Sequence, residues 1–165
     1  MAANPDAIAF RSALGAFATG VTIVTTRNAA GEDCGLTANS FNSVSLDPPM
    51  VLWSLRRGAP CQPSFARSGH FAVNVLAEEQ GHLSRHFATP ALNKFANVEH
   101  STGFGGCPIL PGNLAQFECR TDQQIEAGDH IIFIGRVERF HFRDGDPLIF
   151  SAGRYCRPTA LASLN

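Results

Sequence analysis

Gly35–Leu55, GLTANSFNSVSLDPPMVLWSL, is the stretch on which the fold turns. Its last six residues, Met50–Leu55, apolar but for Ser54, suit a buried strand. Its first half also reads as strand, yet small and polar residues (Thr37, Ala38, Asn39, Ser40, then Ser43 and Ser45) stand where a buried strand carries Val or Ile. Asp47-Pro48-Pro49 then forces a sharp exit, because each proline fixes φ and removes a donor. Short side chains leave a flat ligand free to lie against the backbone and take hydrogen bonds from it. The alternative is a polar edge strand capped by a turn.

Working outward, Pro5-Asp6 followed by Phe10, Leu14 and Phe17 predicts an amphipathic helix ended by Gly20. The β-branched run 21–26 (VTIVTT) is a strand, a turn follows, and the strand that begins at Gly35 runs to the Asp-Pro-Pro break. After Met50–Leu55 come a short helix over 63–67, a strand over 70–76 and a helix over 77–88 stopped by Pro90. Residues 96–115 show no period and read as irregular. Two long strands follow, with Ala127-Gly128-Asp129 between them or marking a bulge; RDGDP (143–147) reads as a hairpin turn, and 148–156 as the closing strand. Six or seven strands joined mostly by hairpins, with few helices, predict a mainly β, antiparallel, closed or nearly closed barrel.

The 165 residues fit one domain with a single core, about residues 10–156. Charged residues make up 16%, and there are 13 Phe, so part of the surface is expected to be covered by a partner chain or a ligand. The net charge of −1, without a basic block, argues against nucleic acid. Twelve Arg stand against one Lys, Lys94. The start lacks a secretory pattern, no apolar run is long enough for a membrane span, and five Cys form no CxxC pair; a cytoplasmic protein with reduced thiols is expected.

The blocks TGVTIVTT, GLTANSFNSVSLDPPMVLWSL, HFAVNVL, HLSRHFA, NKF, AGDHIIFIGRV and PLIFSAGRY occur in this order. Over roughly residues 10–156 the chain resembles the short-chain flavin reductases, the reductase partners of two-component monooxygenases, which fold as FMN-binding split barrels. The resemblance implies reduction of FMN or FAD by NADH or NADPH, a homodimer with flavin near the subunit interface, and a separate oxygenase. It leaves two alternatives: a non-catalytic split-barrel sensor or carrier of FMN, and a flavoprotein reductase of another acceptor such as a corrinoid.

In that light, Thr37, Ala38, Asn39 and Ser40 are expected to meet the polar edge of the isoalloxazine, where fixed N–H donors would stabilise charge arriving with the hydride. Ser54, Leu55, Arg56 and Arg57 are expected near a flavin phosphate, the arginines as bidentate donors. Lys94-Phe95 matches an [R/K]F element usually preceded by Asp; here Asn93 replaces the acid, and Lys94 offers a point charge without a planar fork. Phe87 either packs on the flavin side or belongs to the core. Gly128-Asp129-His130 matches a GDH element that the resemblance places at the nicotinamide, with His130 holding C4 near flavin N5. Tyr155, the only Tyr, either helps position that ring or closes the barrel rim. His82 and His86 have metal-compatible spacing but no third ligand nearby, so a solvated helix face is the better reading and no metal is expected. GFGG (103–106) precedes Cys107-Pro108, not a helix, so it is no dinucleotide fingerprint.

Overall fold

A computed structural model describes residues 5–159 of the chain. Within them lie three α-helices, α1 (Pro5–Gly15), α2 (Gln62–Ser68) and α3 (Gly81–Ala88). The strands are β1 (Thr19–Gly20), β2 (Thr22–Arg27), β3 (Asp33–Ala38), β4 (Asn42–Leu46), β5 (Pro49–Arg56), β6 (His70–Val75), β7 (Ser101–Thr102), β8 (Pro108–Ile109), β9 (Ala115–Ala127), β10 (His130–Phe142), β11 (Ile149–Ser151) and β12 (Arg154–Cys156).

Seven of them make one antiparallel sheet in the order β3-β2-β6-β9-β10-β5-β4. Its two edges, β3 and β4, are separated in sequence only by Asn39–Phe41. Laid flat, seven strands about 4.8 Å apart would put the edges roughly 29 Å from one another. The chain from Ala38 to Asn42 spans at most about 14 Å. The sheet must therefore curl until its edges meet, and Ser40 stitches the seam. Its hydroxyl accepts from the Ser54 N–H of β5 at 2.9 Å and donates to the Ser54 carbonyl at 3.1 Å. The product is the expected antiparallel split barrel. The small, polar middle of the opening stretch is thus in part the price of a seam, where the backbone must cross a gap.

Alternation along β5 turns Val51, Trp53 and Leu55 inward, where they meet Val24, Phe71, Val73, Ile131 and Phe133, with Phe65 of α2 plugging one end. A second cluster (Val21, Ile23, Leu76, Phe87, Phe95, Leu110 and Leu148) lies where α3 packs across β2 and β3.

Several elements depart from the sequence reading. The predicted second strand is two strands, because the seam interrupts it. Asp47-Pro48, joined by a cis peptide, is the turn of the β4–β5 hairpin. RDGDP is not a hairpin turn: β10 pairs with β5 and β9, whereas β11 pairs with β1 and β12, so the segment carries the chain from the barrel to a small three-stranded sheet. Arg143 fastens that crossing, donating to Gly112 O at 2.6 Å and to Glu79 Oε1 at 3.1 Å. The predicted closing strand is the β11–β12 hairpin, turning at Ala152-Gly153 where φ is 47° and 78°. The helix expected from residue 77 starts at Gly81, because Gln80 Oε1 accepts the Ala77 N–H and closes a separate 3₁₀ turn. The irregular stretch 96–115 contains the two-residue pair β7–β8. Finally, α1 stops at Gly15, and Ile8, Phe10 and Leu14 on it, with Phe17 beyond, are exposed. Among the described residues no helix is long and apolar enough to cross a membrane.

Candidate functional site

A cavity of about 640 Å³ opens between β3, the loop 59–61 and the end of α3 with the segment that follows it. One wall is the strand Asp33–Thr37; Ala59, Pro60 and Cys61 form another, and Phe87, Ala88, Pro90, Ala91, Leu92 and Lys94 the third. The volume lies within the usual range for small-molecule sites, and the lining is mainly apolar with a few polar groups.

Gly35 sets the depth of the wall. A Cβ there would sit 3.1 Å from both Phe87 Cε1 and Phe95 Cζ, so its absence lets the two rings lie directly against the strand. Those rings meet edge to face, centroids 5.1 Å apart, and both are buried. Phe87 also lines the cavity, whereas Phe95 is a core residue only.

Lys94 reaches the cavity from the segment after α3. Its Nζ donates to Phe87 O at 2.6 Å, while His86 Nε2 contacts Lys94 O at 2.6 Å, so the two ends of the segment clamp each other. Burial pushes the Lys94 ammonium below its ordinary pKa, against a smaller opposing effect of Cys61. Asn93, in the place of the expected acid, has a local job: its Oδ1 accepts from the Phe95 and Ala96 N–H groups and shapes the turn that aims Lys94.

The remaining positions fall into three groups. At the seam, Asn39 is exposed, Ala38 gives its carbonyl to Thr22 Oγ1 at 2.7 Å, and the Ser40 hydroxyl is spent on Ser54. Leu55 is buried in the barrel interior because it shares the inward face of β5 with Trp53. A chain of hydroxyls crosses under α3: Thr37 Oγ1 donates to Ser84 O at 2.6 Å, and Ser84 Oγ shares a 2.7 Å hydrogen bond with the Tyr155 hydroxyl.

The third group is the tip of the β9–β10 hairpin. Gly128-Asp129 is its two-residue loop, Gly128 taking φ of 59° as the first turn position requires. His130 Nδ1 lies 2.8 Å from Asp129 Oδ1, and its side chain is 44% exposed. The hydrogen bond from His130, and then its charge, hold the Asp129 carboxyl below its usual pKa. Arg57 is tied to this tip by its N–H to Asp129 O at 2.8 Å and by its guanidinium to Glu126 at 2.6 Å. Arg56 pairs with His130 across the sheet and is exposed. The Arg57 guanidinium is therefore committed to the hairpin, and the following residues, Ala59–Cys61, run from that hairpin to the cavity.

Sequence reasoning missed Asp33, Cys34, Ser84, the 59–61 wall and the 90–92 rim. Asp33 carries no local signal, since an acid after a turn reads as a solvated strand start; only the fold brings Arg27 and His100 to it. His82 and His86 turn to backbone carbonyls, and among the described residues no group of three His, Cys, Asp or Glu stands ready for a metal.

A model of the flavin reductase like domain matches residues 14–159. The NADH-dependent FMN reductase SmoA of Agrobacterium fabrum is 47% identical over 148 residues, covering 90% of this chain and 84% of that protein. The flavin-dependent monooxygenase reductase subunit HsaB of Rhodococcus jostii is 40% identical over 147 residues, 88% of this chain and 75% of its own. Among solved structures, the NADH:FAD oxidoreductase SgcE6 of Streptomyces globisporus, in complex with NAD and FAD fragments, superposes with a TM-score of 0.90 at 36% identity, covering 99% of each chain.

Proposed function

The chain belongs to the flavin reductase-like family, and we infer that it transfers hydride from NAD(P)H to FMN or FAD and supplies the reduced flavin to a separate monooxygenase. The observation that carries this reading is the cavity between β3 and the α3 segment, which offers a flat ligand mainly apolar faces beside the strand Asp33–Thr37 and one half-buried cation, Lys94. Those features fit a phosphorylated flavin: a planar ring, a polar edge and a distal anion. Bound flavin supplies the two-electron chemistry by accepting the hydride at N5.

The protein's part is orientation and electrostatics. Backbone groups of Thr37–Ser40 would meet the ring's polar edge, Thr37 being held through Ser84. Lys94 would pair with the phosphate. Arg56 and His130, side by side at the hairpin, receive the nicotinamide cofactor, and Tyr155 braces α3 from the far side through Ser84. A second copy of the chain would cover the exposed apolar residues of α1 and those of Val44, Leu46, Phe140 and Phe142. The cytoplasm suits the five free thiols.

Two measurements test the reading. NADH added anaerobically to the flavin-loaded protein should bleach the oxidised-flavin absorbance; a protein that holds flavin yet leaves it oxidised is not a reductase. Lys94→Met should weaken FMN and FAD binding about tenfold or more while leaving riboflavin, which lacks phosphate, unchanged. In the unchanged protein, phosphate-dependent affinity should fall as pH rises, at a lower pH than an exposed lysine would give, because burial favours the uncharged amine.

A further inference from the structure

Cys34 on β3 and Cys61 in the loop 59–61 line the cavity from different walls, and hydride transfer to a flavin uses neither of them. The Cys34 thiol donates to Ser64 Oγ, in the first turn of α2, at 3.2 Å. Cys61 stands three residues before Ser64 and already has helical φ and ψ of −85° and −4°. Residues at that spacing share one side of a helix, so Cys61 and Ser64 both stand on the side that meets Cys34. Cys61 O accepts the Ser64 N–H at 3.1 Å, which fixes their spacing. Burial pushes the Cys61 thiol up, and a charge on Cys34 adds to this, against the opposing pull of a backbone hydrogen bond and of Lys94. The other thiols differ. Cys107 and Cys119 are buried, and Cys156 lies on β12 in the small sheet.

We propose that Cys34 and Cys61 join in a reversible disulfide when peroxide builds up, and that the bond shuts the flavin out of its cavity. The proposal rests on the flavin-reductase reading, which also supplies the oxidant. A reduced flavin that meets O2 passes it two electrons and two protons, leaving oxidised flavin and hydrogen peroxide. The Cys34 sulfur, as thiolate, attacks one peroxide oxygen; the O–O bond breaks, and hydroxide leaves and takes up a proton as water. The Cys61 sulfur then attacks the resulting Cys34 sulfenic acid; the S–O bond breaks, and the Cys61 proton departs with the hydroxyl as a second water. Two thiols and one peroxide thus give one disulfide and two waters. A disulfide holds its Cβ atoms about 4 Å apart, so strand wall and loop wall are tied together across the space a flavin ring needs. Reduced flavin that escapes its acceptor in this way stops its own production, and cellular thiols reverse the bond.

The test is hydrogen peroxide added to the flavin-free chain, followed by tryptic mass spectrometry and FMN titration. Peptides 28–56 and 58–67, which hold Cys34 and Cys61 separately, should become linked with loss of two hydrogens. FMN affinity should fall about tenfold or more, and dithiothreitol should restore both free peptides and affinity. Cys61→Ser should stop at a Cys34 sulfenic acid, trapped by dimedone, and its FMN affinity should no longer respond to peroxide as the parent's does. Oxidation that leaves the two peptides unlinked, a linked chain that binds FMN as tightly as the reduced one, or an equal peroxide response in Cys61→Ser overturns the proposal. Failure of the reduced chain to bind flavin overturns the reductase reading, and the control of flavin binding with it, whether or not the link forms.

Discussion

Trp53→Ala lowers the unfolding free energy by about 3–5 kcal/mol, the range for emptying a large aromatic site in a core. Trp53 is fully buried and is the centre of the barrel's aromatic packing. Its ring stacks on Phe133 with centroids 5.0 Å apart and meets Phe65 and Phe71 edge-on at 4.8 and 5.9 Å. Those partners come from β10, α2 and β6, so one side chain ties together elements distant in sequence, and a barrel of close-packed rings has little freedom to collapse into the void. A loss of this size is a large share of the 5–15 kcal/mol typical of a whole domain. Urea unfolding read by far-UV circular dichroism measures it, since the variant loses the chain's only Trp fluorophore. Trp53→Phe should cost much less. It keeps most of the ring area, and it removes an indole N–H that is buried without a partner among the described residues. If the alanine variant stays within about 1 kcal/mol of the parent, the barrel interior is not what stabilises this fold.

The same region shows how much the residues disclosed. Met50–Leu55 announces a buried strand because its alternation and its apolar content agree. The seam was legible only as an anomaly. Small polar residues at 37–40 marked something unusual, but the sequence does not distinguish a strand that receives a ligand from one that must break to close a barrel; the structure uses Ser40 for closure and Thr37 for the cavity. Leu55 and Phe95 turn into the core, which a motif does not disclose: it names neighbours in sequence, whereas the strand pleat and the turn at Asn93 decide which of them face inward. Asp33 lay beyond reach, since its meaning comes from His100, sixty-seven residues away.

His130 offers the sharpest functional test. Asp129 occupies its Nδ1, and in the proposed reading Nε2 is the ring nitrogen that meets a carboxamide. The loop that carries it is braced independently: Arg57 donates its N–H to Asp129 O and pairs with Glu126, and the β9–β10 ladder closes on Ala127 and His130. Removing the imidazole therefore leaves the hairpin standing, and the loss reports on the side chain alone. His130→Ala should lower kcat/KM for the nicotinamide substrate about tenfold to a hundredfold, the scale of a misplaced reacting partner, while flavin affinity shifts by less than about threefold. Stopped-flow reduction at varied NADH, beside a flavin titration, separates the two quantities. A histidine that merely shapes the site would weaken both together, and parallel losses would remove His130 from the nicotinamide side. Asp129→Asn, which keeps an acceptor for Nδ1–H but not the charge, should fall between the parent and the alanine variant if the pair acts by orienting the ring.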